Sequence, residues 1–156
     1  MKPFRFVLEP LRVLRKQKER TAQQQYARML LARDQAALRL AQASAELEVG
    51  WNLLRYEMST GVAAGRLGNL QAWCKVLEHR RDERQSALAE ASQAASRALE
   101  EMTGAIRDRE ALDRFSDKSR RAYERNVQRE EQKQFDEMAV QRRELAGSLQ
   151  LAGRKG

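Results

Sequence analysis

The sequence predicts an all-α protein: two long helices in an antiparallel coiled-coil hairpin, the C-terminal helix longer than its partner and overhanging it. Three observations carry this. Of 156 residues, 33% are charged and only 6% aromatic, and the prolines are two, Pro3 and Pro10. That composition, led by Ala, Leu, Glu, Arg, Gln and Lys, belongs to long helices rather than to a mixed domain. Apolar residues recur every seven positions. One glycine cluster interrupts the periodicity. A mean hydropathy of −0.77 argues against a large globular core, while Leu and Ala at helical spacing argue against disorder.

The spacing predicts one coiled-coil domain over 1–156. Helix 1 covers about 10–58, opening at Pro10, a residue suited to a first turn. Leu40, Leu47 and Leu54 repeat every seven. Trp51 and Met58 each follow a leucine by four, giving a 47-51-54-58 seam. The stretch 59–68 holds Gly61, Gly65 and Gly68 and reads as the turn. Helix 2 runs from about 69 to 146, with Asn69 as its cap and 147–156 as a frayed tail. Its seam is Leu70, Cys74 and Leu77, then Leu88, Ala91, Ala95, Ala98, Met102 and Ala105, with a stutter expected near Leu112, Phe115 and Tyr123.

A short turn between two long helices folds them back on each other. Facing residue numbers then sum to roughly 128, with Met58 opposite Leu70, Leu54 opposite Cys74, and alanines 36–45 opposite alanines 87–91. Ser119–Ala146 would project on the order of 40 Å past the first helix.

Net charge is +8, and it sits at the ends. Residues 1–20 hold seven Lys/Arg and two Asp/Glu, and residues 118–156 hold ten and six. The middle holds thirteen and fourteen. A uniform basic stripe for nucleic acid does not look like this. The hairpin brings both basic ends to one tip.

Enzymatic chemistry has little support. His79 reads as a solvent-facing helical residue, and Cys74 as a small buried seam residue rather than a reactive thiol. No His, Cys and carboxylate cluster has metal-ligand spacing. GRLGNL lacks the Lys-Ser/Thr of a phosphate loop. No cofactor is expected. The single cysteine fits a reducing compartment, and no apolar run is long enough to span a membrane. Trp51 reads as core. Trp73, one residue off the seam and flanked by Val76, is a candidate partner anchor. The basic N-terminal stretch reads as packing on helix 2 or a partner rather than on a membrane surface.

Three stretches together carry a family resemblance: FRFVLEPLRVLRKQKE (4–19), EMSTGVAAGRLGNLQAWCKVLE (57–78) and REEQKQFDEMAVQRR (129–143). They resemble the FliJ family of flagellar type III export proteins and, more distantly, the YscO-type stalk proteins of injectisomes. The most specific pattern, R-x-E-Q-K-x-x-D-E-x-A, is carried by Arg129, Glu131, Gln132, Lys133, Asp136, Glu137 and Ala139.

The resemblance implies a non-enzymatic stalk, cytoplasmic and peripheral to the inner-membrane export apparatus through its partners. Its joined termini would dock in the hexameric export ATPase and activate it. It would also contact the cytoplasmic domain of the export gate and escort export chaperones. The expected ATPase contacts are Phe135 and Met138 as apolar anchors, with Arg125, Arg129, Lys133, Arg142 and Arg143 as charge. The expected gate contacts are Trp73 and Leu77; Glu46, Gly50, Arg80 and Arg84 depart from the family's residues on that surface. A monomer that binds no nucleic acid is expected. The rival readings are an injectisome stalk, another rotary-ATPase stalk subunit, a scaffold coiled coil, and a basic binder of nucleic acid or membrane.

Overall fold

The structure is a computed structural model that describes residues 3–152, and their side chains as far as Leu145. It has two helices: α1, Glu9–Thr60, and α2, Ala64–Ala152, of 52 and 89 residues. They pack as an antiparallel hairpin, with no strand among the described residues. The chain falls into two compact units. One is Arg15–Asp108; the other joins Met1–Leu14 to Arg109–Gly156.

Within Arg15–Asp108 the reversal takes only three residues. Gly61 has a φ of 76°, and it is the one described residue in the left-handed region, which favours glycine. The hydroxyl of Ser59 donates to the Tyr56 carbonyl (2.7 Å) and that of Thr60 to the Glu57 carbonyl (3.2 Å). The second bond reaches one of the last four carbonyls of α1, which the helix itself leaves without a partner. Gly65, Gly68 and Asn69, expected in the turn or at a cap, lie inside α2 instead. Three residues suffice to turn the chain, so the helix restarts at once. At the far end α2 continues to Ala152, through part of the expected frayed tail; 153–156 lie outside the described residues.

The shorter turn shifts the register by about one helical turn from the expected one. Glu46 meets Arg80, and Arg15 meets Asp108. Gly50, not Leu54, faces Cys74: a Cβ on Gly50 would lie 3.4 Å from the Cys74 Sγ and 3.1 Å from the Leu77 Cδ1. The α1 seam steps alternately by four and three through Ala36, Leu40, Ala43, Leu47, Gly50, Leu54 and Glu57, all buried or half-buried. Leu47 is 2% exposed. Trp51 (38%) and Met58 (59%), expected in the core, stand outside it. The step after Leu47 is three, so the seam takes Gly50 and Glu57, and their bulkier neighbours are left at the edge.

The α2 seam follows the expected row: Cys74, Leu77, Ala95 and Ala98 are buried. Only part of the expected alanine set enters the interface. Of alanines 36–45 only Ala43 is buried and Ala36 half-buried; of the alanines expected opposite, Ala91 is half-buried and Ala87 and Ala89 are exposed.

The unit containing both termini closes differently. Asp113 accepts from Arg12 Nε (2.7 Å) with one oxygen and from Arg109 (2.8 Å) with the other. Phe6 tilts against Phe115 at 6.0 Å between ring centres, and Phe4 against Tyr123 at 5.5 Å. The expected stutter is absent. Arg109, Leu112, Ser116, Ser119 and Tyr123 keep the three-four stepping, all half-buried. What drifts is residue type: polar side chains occupy the seam, and aromatics from the N-terminal arm replace its apolar filling. Past Val127 every described side chain to Leu145 is exposed.

Candidate functional site

The C-terminal stretch of α2 presents its apolar residues on one face. Met138, Ala139 and Arg142 follow Phe135 by three, four and seven residues, which places them together. The four line one shallow exposed depression. This face is not the hairpin seam prolonged. Continued beyond Tyr123 at the same stepping, the seam would run through Asn126, Glu130, Lys133, Glu137, Val140 and Glu144, five of six polar or charged. The chain therefore stops building an intramolecular interface here and turns its apolar residues elsewhere.

The other residues expected at this site do not join it. At about 100° per residue, Arg125, Arg129 and Arg143 lie about 80–120° round the helix from Phe135, and Lys133 about 160°. Lys133 donates to Glu130 at 2.9 Å. Arg142 alone shares the apolar face, and the remaining cations form a neighbouring one. The sequence showed the residue types, but only placement on the helix separates the two faces.

The second expected surface lies near the turn. Trp73 is 43% exposed, with its ring edge over Gly50: a Cβ there would lie 3.3 Å from the Trp73 Cζ3. Leu77, the other residue expected on this surface, is 3% exposed and packs on Gly50. It is a core residue that supports Trp73. Glu46 accepts from Arg80 at 3.3 Å, a polar clasp beside the indole.

Val49 and Leu53 follow Glu46 by three and seven, and Arg80 follows Trp73 by seven. All therefore line the same side of the helix pair. Val49, Leu53, Tyr56 and Val76 are exposed around the indole. Of these the sequence reading marked only Val76. The 49-53-56 spacing was the available signal, hidden beside the leucines of the seam.

Other chemistry is sparse. No group of three or more His, Cys, Asp or Glu among the described residues is placed to hold a metal ion. His79 is exposed and pairs with Glu83 at 3.2 Å, and Cys74 is buried. No described helix is long and apolar enough to cross a membrane.

In the unit that holds both termini, a stretch of single helix with its own exposed apolar face is a layout for protein contacts. The family comparison fits it: the model of the flagellar FliJ protein matches residues 4–147. The chain belongs to the FliJ family. Among solved structures, a YscO homolog, CT670 from Chlamydia trachomatis, matches with a TM-score of 0.70 at 18% identity, covering 94% of this chain and 99% of that one. At that identity the likeness is one of fold. A comparison with curated protein sequences gives no match. As a member of the FliJ family the chain is a type III export component.

Proposed function

We propose that this FliJ-family chain is a non-enzymatic central stalk of the flagellar export apparatus. It docks the end of α2 in the hexameric export ATPase and activates it. The supporting observation is the apolar face of Phe135, Met138 and Ala139, exposed and turned away from the hairpin seam. Two large apolar side chains on an otherwise charged helix suit an anchor in a protein pocket. Arg142 beside them, and Arg125, Arg129, Lys133 and Arg143 around the helix, steer and orient the approach.

The second contact is with the cytoplasmic domain of the export gate. Trp73 is its anchor, framed by Val49, Leu53, Tyr56 and Val76, with Leu77 holding the indole in place from beneath. Escort of export chaperones follows from the family alone. The protein works as a monomer in the cytoplasm, reaching the inner membrane only through these partners.

The test is titration of the full chain into a cognate export ATPase, following hexamer formation and ATP hydrolysis. Wild type should stimulate both, and a Phe135→Asp/Met138→Asp variant should stimulate neither while its helix content is unchanged. Full stimulation by that variant would remove the anchor from the mechanism. No stimulation by wild type, with a competent hexamer, would favour a scaffold coiled coil.

A further inference from the structure

We propose that the exposed cation row Arg114, Lys118, Arg121 and Arg125 is a docking site for an acidic α-helix of a partner protein, which lies along α2 with carboxylates at matching positions.

The four residues, stepping by four, three and four, stand on one exposed side of α2 and line a shared groove with Asp117. What sets them apart is that they gather in one groove with little compensation. Around them Arg109 pairs with Asp113, Arg120 with Glu124, and Lys133 with Glu130. Arg114 reaches Glu110 only at 3.5 Å from a well-exposed side chain. Among the described interactions, Lys118, Arg121 and Arg125 make none. Cations without a described partner, such as Arg20, Arg39 and Arg97, also occur elsewhere, but singly; here three of them stand with the weakly paired Arg114 along one groove.

Three features select the occupant. First, the charges are spaced about 4.5–6 Å apart along the axis. Glutamates at i, i+4, i+7 and i+11 of a neighbouring helix have the same spacing, as in the flanking charge ladders of coiled coils. Second, three of the four are arginines, whose planar fork suits bidentate carboxylate pairing. Third, the row holds no aromatic side chain for base stacking and no bulky apolar one to enter a bilayer. Asp117 sharpens the choice. A uniformly anionic surface is repelled by a carboxylate inside the groove, whereas a mixed-charge helix can meet it with one lysine.

This surface stands apart from the ring reading. Of its four cations only Arg125 belongs to that site, and the test leaves Arg125 in place.

The test uses the full chain and a labelled synthetic helix, Ala-rich, with Glu at i, i+4, i+7 and i+11 and one Lys set to meet Asp117. Fluorescence anisotropy is read at low salt, beside a peptide of the same composition in scrambled order, phosphatidylglycerol vesicles and a DNA duplex. Wild type should bind the spaced peptide about tenfold more tightly than the scrambled one. That is the size expected of three exposed ion pairs acting together. Arg114→Gln/Lys118→Gln/Arg121→Gln should lose that factor, and Arg20→Gln/Arg39→Gln/Arg97→Gln, equal in charge, should keep it. Asp117→Lys should weaken binding, and a peptide with Glu in place of its Lys should restore it.

Equal affinity for the two peptides, or equal losses in the two triple variants, would overturn the proposal. So would vesicle or duplex binding that the row variant abolishes and Asp117→Lys strengthens; the row would then serve a lipid surface or a nucleic acid.

Discussion

Truncating Leu47 and Met58 separately decides which row closes the hairpin. Leu47 is 2% exposed and Met58 59%. Leu47→Ala removes three buried carbons, about 2.4 kcal/mol at roughly 0.8 kcal/mol each. The space left lies between two helices, open at both flanks, so neighbours can settle into it and the cavity contribution is small. The total should be about 2.5–3 kcal/mol, near the low end for buried leucines. Met58→Ala removes a side chain already more than half in water and installs the best helix former, so it should cost less than about 1 kcal/mol. Trp51→Ala should fall between. Urea unfolding followed by far-UV circular dichroism measures all three on one scale. If Met58→Ala matched Leu47→Ala, the seam would be the 47-51-54-58 row, and the register that sets Gly50 against Cys74 would be wrong.

Three other perturbations probe the ends and the turn. Arg12, donating to the Asp113 carboxylate, and Arg109 beside it hold that group below the usual carboxylate range against a smaller opposing effect of burial. A depressed carboxyl contributes fully above its unfolded value of about 4 and loses its contribution as pH falls through the folded one. Asp113→Asn should therefore be less stable than wild type at neutral pH, and the gap should close below about pH 4 in an acid-unfolding series. Glu57 is buried and pairs at 2.7 Å with a largely exposed Arg66. Arg66→Ala should cost about 1 kcal/mol in urea unfolding, while Glu57→Leu should be neutral or stabilising. Gly61→Ala forces a Cβ into the left-handed region and should cost about 1–2 kcal/mol by thermal unfolding.

The hairpin and the α2 seam were legible because leucine and alanine mark them every three or four residues. The α1 seam was half legible. Leu40, Leu47 and Leu54 are apolar and were found. Gly50 and Glu57 are not, and Trp51 and Met58 drew attention away from them. A pattern read from hydrophobicity cannot see a glycine that serves by being small, or a buried acid whose guanidinium arrives from across a turn. The turn was overextended for a related reason: three glycines looked alike, and only Gly61 needs its positive φ. At the candidate site, Phe135 and Met138 stood out as the large apolar residues of a charged run. That Arg142 joins them, and that Lys133 lies nearly opposite, depends on angular placement that a linear list hides. Leu77 was drawn into the gate surface by alignment, and only burial distinguishes a contact from its support.

The ion pairs between the helices are spread very unevenly along the chain. Glu57 and Arg66 are 9 residues apart, Glu46 and Arg80 34, and Arg12 and Asp113 101. Joining the outermost pair directly would cost about 2 kcal/mol more in loop entropy than joining the innermost. Closure is therefore expected to start at Gly61 and run outward like a zip, with each fastened pair shortening the loop for the next. The aromatic clasp of Phe4 and Phe6 is fastened last and opens first, so hydrogen-exchange protection should decline from the turn towards both termini. The unit that carries the proposed ATPase anchor is thus expected to be the last whose helix pairing is completed.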